Sequence, residues 1–108
     1  MKNESNNIYG ITYDGIHTDI SRSLLGTKQF ATKNGYDTIS IRYNCGYNAE
    51  VIEKKVGGIW VNYQIIERLE YLRKEIQAER ISYSEIMELV GLRKYIDKND
   101  IELLQWTI

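Results

Sequence analysis

His17 and Cys45 are the pair from which a catalytic reading starts, because an imidazole beside a thiol generates the thiolate of nucleophilic catalysis. Nothing in the spacing brings them together. Cys45 falls in the apolar register of a strand, where a lone cysteine packs as a small hydrophobe, and His17 falls in a turn ahead of a helix. His17 with Asp19 is the one close pairing of histidine and carboxylate, and a single histidine without a recurring ligand spacing does not define a zinc site. Cys45 is the only cysteine, which excludes an intramolecular disulfide and a cysteine-built metal cluster. Gly57-Gly58 lacks the following helix and lysine that a phosphate cradle requires. The residues therefore predict a protein that is not an enzyme and uses no cofactor or metal.

Arg42 with Tyr36, Tyr43 and Tyr47 is the stronger candidate for function, as a binding surface. Arginine and tyrosine dominate protein interface hot spots, and an aromatic sheet face also stacks bases. The competing explanation is that these tyrosines cover the sheet and its helix.

The elements that must position them are read from periodicity. Ile39, Ile41, Tyr43 and Cys45 alternate with polar residues over Asp37–Cys45, the period of a strand with one buried face. Ala49–Val56 continues beyond a turn composition around Gly46, and the adjacent Val51 and Ile52 break the alternation as a bulge does. Gly57-Gly58 reads as a tight hairpin turn into Ile59–Tyr63. Upstream, Ile8–Asp14 reads as a first strand ended by Asp14-Gly15. The next element is a helix capped by Thr18 or Asp19, with Ile20, Leu24, Leu25, Phe30 and Ala31 as its apolar stripe and Asn34-Gly35 as its stop.

The second half is helical. Ile65, Leu69, Leu72 and Ile76 form one seam over about Gln64–Glu79, with a Glu70–Lys74 pair on the outer face. Ser82-Tyr83-Ser84-Glu85 is a capping box that opens a helix over Ser84–Val90, and Gly91 closes it. A last helical turn over about Asn99–Trp106 is capped by Asn99 or Asp97 and packs through Ile101, Leu104 and Trp106.

The expected fold is a single α+β domain over 1–108, with a disordered polar tail at 1–7. A β-α-β-β-β unit at 8–63 holds an antiparallel sheet of about four strands, and two or three helices at 64–108 pack on it. Fourteen basic against 15 acidic residues remove the general electrostatic case for nucleic acid or an anionic membrane. No apolar run approaches the ~18 residues of a membrane span, and the first ten residues lack a leader's apolar core. The expectation is a cytoplasmic protein whose partner is another protein or a second copy of itself, with no membrane partner.

Ile81–Leu92 is similar to the first helix and turn of helix-turn-helix domains, which would make Arg93 and Lys94 the nucleic-acid contacts of an alternative reading. The next residues depart from that pattern, since Arg93-Lys94-Tyr95-Ile96-Asp97 leads into an acidic, apolar tail rather than a recognition helix. The tail also resembles the closing segment of small uncharacterised proteins of Gram-positive conjugative transposons, plasmids and phages. The residues that carry this resemblance are Ser84, Glu85, Leu89, Tyr95, Ile96, Asp97, Asp100, Glu102, Leu103, Leu104 and Trp106, about the last quarter of the chain. It implies an accessory protein of a mobile element and no activity.

Overall fold

The computed structural model describes residues 6–108; the first part of the expected disordered tail, residues 1–5, lies outside the described residues. The class is α+β, with a five-stranded antiparallel sheet in the order β2-β1-β3-β4-β5. The strands are β1 (Ile8–Tyr13), β2 (Ile16–Ser21), β3 (Thr38–Arg42), β4 (Glu50–Val56) and β5 (Ile59–Asn62). The helices are α1 (Leu24–Asn34), α2 (Tyr63–Gln77), α3 (Tyr83–Gly91) and α4 (Ile101–Leu104). The chain divides into two compact units, 1–54 and 55–108.

In the first unit the fifth strand, β2, replaces the expected turn and helix start. Asp14 and Gly15 have φ of 54° and 78°, so Asp14-Gly15 is a two-residue hairpin turn and the chain doubles straight back. Thr18 and Asp19 are strand residues in consequence. The cap of α1 is Ser23, whose side chain accepts from the Gly26 N–H at 3.0 Å. The helix ends as expected, on Gly35 at φ 79°.

The predicted stripe of α1 is corrected in part, since Ala31 alone of its residues is buried. Leu25 is 66% exposed and Phe30 is exposed, while Thr27 and Ala31, one turn apart, are buried. Small side chains at the contact let the helix lie close to the sheet, and the Thr27 hydroxyl is satisfied by Ser21 Oγ at 3.0 Å. Beneath α1 lie Ile11, Ile39 and Ile41, all buried. Lys28 on the helix pairs with Glu53 on β4 at 2.8 Å, and Glu53 stands opposite Ile39, which places α1 on the isoleucine face.

The expected break at Val51 and Ile52 is a register shift. Ile39 pairs with Glu53 and Ser40 with Val51, leaving Ile52 as the extra residue. The strand expected to reach Cys45 ends at Arg42, because Asn44 and Cys45 adopt φ of 52° and 56° in a 3₁₀ turn over Tyr43–Cys45. That turn is held from the other end of the chain. The Asn44 N–H donates to Asn7 Oδ1 at 3.0 Å, and Cys45 Sγ donates to the Asn6 carbonyl at 3.1 Å. Asn7 is buried, so the expected disorder does not extend to residues 6 and 7.

In the second unit Gly57 and Gly58 both have positive φ, as the hairpin reading required. Asn62 ends β5 and caps α2, its Oδ1 accepting from the Gln64 N–H at 2.8 Å. The predicted seam of α2 is the core: Leu69 and Leu72 are buried with Leu89, Ile96 and Leu103, and Ile65 and Ile76 pack against this cluster. Glu70 pairs with Arg73 at 3.2 Å instead of with Lys74. Ser82 and Glu85 form the predicted capping box on α3. Asp100, not Asn99 or Asp97, caps α4; Leu103 and Thr107 are buried and Leu104 packs against the core as expected, while Ile101 and Trp106 are exposed.

Candidate functional site

The register of β1, β2 and β3 places Thr12, His17, Asp19, Ser40 and Arg42 on the sheet face opposite α1. They form one hydrogen-bonded chain. Thr12 Oγ1 donates to Ser40 Oγ at 2.6 Å, Ser40 Oγ faces His17 Nδ1 at 2.5 Å, and His17 Nε2 lies 2.8 Å from Asp19 Oδ1. Arg42 closes the chain with a fork, Nε to Asp19 Oδ1 at 2.9 Å and Nη2 to Asp19 Oδ2 at 2.5 Å, and its Nη1 donates to the Gly46 carbonyl at 2.6 Å. Every link is satisfied when Ser40 donates to Nδ1 and His17 donates from Nε2 to the carboxylate.

Close packing of β1 on β2 makes this possible. A Cβ at Gly10 would fall 1.9 Å from the Thr18 carbonyl oxygen and 2.7 Å from His17 Cε1, so a residue without a side chain is required beside the imidazole. The paired guanidinium lowers the Asp19 carboxyl to about 2, against the opposing effect of burial and with His17 assisting. Asp19 in turn raises Arg42 above its ordinary value.

Serine, histidine and aspartate in contact is the composition of a hydrolytic triad, but the surroundings are those of a structural ladder. Ser40 has no exposed surface, so its Oγ has no path to a substrate carbonyl. The carboxylate is already neutralised by Arg42. His17 and Cys45 do not meet: both ring nitrogens of His17 are engaged by Ser40 and Asp19, and the thiol is bonded to Asn6. Among the described residues, no group of three His, Cys, Asp or Glu is placed to hold a metal ion.

An open depression adjoins the ladder, lined by Gly15–Asp19 along β2 and by Arg42, Tyr47, Asn48 and Ala49. Its floor is polar and satisfied, whereas Tyr47 is fully exposed and Ile16 is 68% exposed. The four residues read from sequence as a binding set therefore separate. Arg42 and Tyr47 line this depression. Tyr36 stacks on Phe30 with ring centroids 6.2 Å apart and meets Tyr13 edge-on, in an aromatic group at the other end of β1 and β3. Tyr43 is half-buried, and its phenol is pushed up by burial, with the Glu50 carboxylate and Tyr9 adding to the effect.

Arg93 and Lys94 are exposed on a 3₁₀ turn, Arg93–Tyr95, with Lys94 Nζ 5.0 Å from the Tyr95 ring centroid. The next element is the four-residue α4, whose Asp100 and Glu102 bind Arg73. The tail residues that carried the family resemblance have structural posts: Leu89, Ile96 and Leu103 in the core, Glu85 in the capping box, Asp100 at a helix cap.

Sequence reasoning missed Thr12, Gly10 and Ser40, and weighed His17 for a dyad with Cys45 or a metal site with Asp19, and Asp19 also as a helix cap, but neither for this ladder. The signal was Asp14-Gly15 between β-branched runs: read as a hairpin, it sets His17 and Asp19 on one face opposite Thr12 and Gly10.

No known protein family, curated protein or solved structure matches this chain.

Proposed function

We propose that this protein works by binding another protein, with the depression beside β2 as its contact surface and without catalysis of its own. The observation that carries the reading is the contrast within that depression: the polar groups of its floor satisfy one another, while Tyr47 and Ile16 stand exposed at its rim. A floor of that kind gives up little on desolvation, and an exposed tyrosine supplies the anchor of an interface hot spot. The near balance of 14 basic and 15 acidic residues supports a protein partner over nucleic acid. The cytoplasm is the setting proposed for this binding; no described helix is long and apolar enough to cross a membrane. The tail resemblance supports an accessory role in a mobile element.

The test is capture of a partner from host extract by the immobilised chain, comparing wild type with Tyr47→Ala. Loss of a specific partner in the variant, with capture unchanged between low and high salt, is the expected result. Tight, salt-sensitive binding to random duplex DNA that is abolished by Arg93→Ala with Lys94→Ala would overturn it in favour of a nucleic-acid regulator.

A further inference from the structure

β2 is an edge strand, and among the described residues no strand lies beyond it. Edges of this kind are normally blunted with lysine, proline, a bulge or a covering segment, and in β2 the bulge lies near the end of the strand, past Asp19. Ile16–Ser21 (IHTDIS) contains no lysine, arginine or proline, and Ile16 and Thr18 are exposed. The backbone groups presented to solvent follow from the hairpin. A two-residue turn closes on a hydrogen-bonded pair, here Tyr13 with Ile16, and bonding alternates from there. Ile16 and Thr18 then bond inward, which agrees with the Thr18 carbonyl lying over Gly10. His17 and Asp19 are left with N–H and C=O directed outward.

We propose that β2 pairs with β2 of a second copy of this chain, antiparallel and two-fold symmetric about Thr18, to form one continuous sheet. The segment reads almost the same in both directions, Ile16-His17-Thr18-Asp19-Ile20. About Thr18, His17 stands opposite Asp19 of the second copy, and both are residues whose backbone groups point outward. The parity therefore gives hydrogen-bonded pairs at His17/Asp19 and at Asp19/His17, with Thr18/Thr18 as the non-bonded pair between them. Any register shifted by one residue would set an outward-facing residue against an inward-facing one. Imidazole meets carboxylate, threonine meets threonine and isoleucine meets isoleucine, all favourable cross-strand neighbours. Tyr9 pairs with Ser21 and Gly10 with Asp19, so Ile20 is a bulge residue that ends the regular stretch. The contact is short, and the dimer is a weak, reversible one.

The inference goes beyond partner capture at Tyr47, since it rests on the outer backbone of β2; either can fail alone. Two measurements on the full chain test it. Sedimentation equilibrium should show a monomer–dimer equilibrium that Thr18→Lys abolishes, because two lysines would face each other on the axis while each stays exposed in the monomer. In a Cys45→Ser background, Thr18→Cys should oxidise to a covalent dimer about tenfold or more faster than Ile16→Cys. Non-bonded antiparallel partners lie about 4.5 Å apart at Cα, within disulfide range, whereas the two Ile16 positions would be about 14 Å apart. A chain that stays monomeric at about 1 mM overturns the proposal. So does equal oxidation of the two cysteine variants, or a dimer that survives Thr18→Lys, which would point to another surface such as the exposed Tyr83, Met87 and Val90 of α3.

Discussion

The guanidinium of Arg73, on α2, is bound by Asp100, the residue that also caps α4 through the Leu103 N–H at 3.3 Å. Glu102 accepts from the same guanidinium at 2.6 Å and Glu70 at 3.2 Å, so one arginine ties a four-residue helix to a fifteen-residue one. A helix as short as α4 has no stability of its own. Its place is set by Leu103 in the core and by this ion cluster.

Arg73→Met is accordingly expected to destabilise the protein by about 2 kcal/mol, since it strands partly buried carboxylates while keeping the side chain's volume. Urea denaturation should show a lower midpoint with an unchanged slope. Hydrogen exchange should rise first at Leu103 and Leu104, the amides that depend on the Asp100 cap.

Acid should loosen the first unit through Asp19. Its folded carboxyl sits at about 2, below the ordinary 3.8, so the Arg42 pair contributes stability that is complete above pH ~4 and is lost as the pH falls toward 2. Because the Asp19 side chain is 46% exposed, solvent screens the pair and its contribution to stability is small. The measurement is therefore of the site: the carboxyl carbon shift of Asp19 should titrate near pH 2 in wild type and move back toward the ordinary range in Arg42→Gln. An unchanged midpoint in that variant would show that the fork is not the cause.

Ser40→Ala removes a fully buried hydroxyl that serves both Thr12 and His17, and is expected to cost about 1–2 kcal/mol. A fluorophosphonate probe at neutral pH should leave Ser40 unlabelled in the folded protein. Covalent modification at Ser40, found by mass spectrometry of the digest, would show access that the burial denies and would reopen a hydrolytic role.

Two glycines give opposite expectations for the same change. Gly10→Ala must push β1 from β2 to clear the Thr18 carbonyl and should cost about 2 kcal/mol or more. Gly91→Ala meets nothing within 4 Å at the end of α3 and should gain about 0.5 kcal/mol from helix propensity. Thermal melts of the two variants against wild type check both signs.

The second unit was nearly all legible, because its helices carry their information locally. The seam Leu69–Leu72 is a period-3.6 pattern, and Ser82 with Glu85 is a cap completed within four residues. In the first unit, Ile39 and Ile41 were legible for the same reason, with a period of two. The ladder was not. Ser40 and Thr12 are ordinary strand residues until the register is known, and the register depended on taking Asp14-Gly15 as a hairpin turn instead of a strand end. The face of α1 was read only in part: Ala31 was in the expected stripe and is buried, but its neighbour at the contact is Thr27, a small polar residue that a search for apolar side chains passes over.

The Asp14-Gly15 turn also divides the folding of the sheet into two regimes of time. β1 and β2 are joined through two residues, and a hairpin of that kind closes in about 1–10 μs. The other neighbour of β1 is β3, and pairing Ile11 with Ile39 requires the whole of β2 and α1 to be enclosed in the loop. Closing that loop carries the larger entropic cost and is rewarded only when the isoleucines meet beneath α1. The β1–β2 hairpin is therefore expected to precede the sheet, with the edge of β2 formed before the ladder behind it is complete.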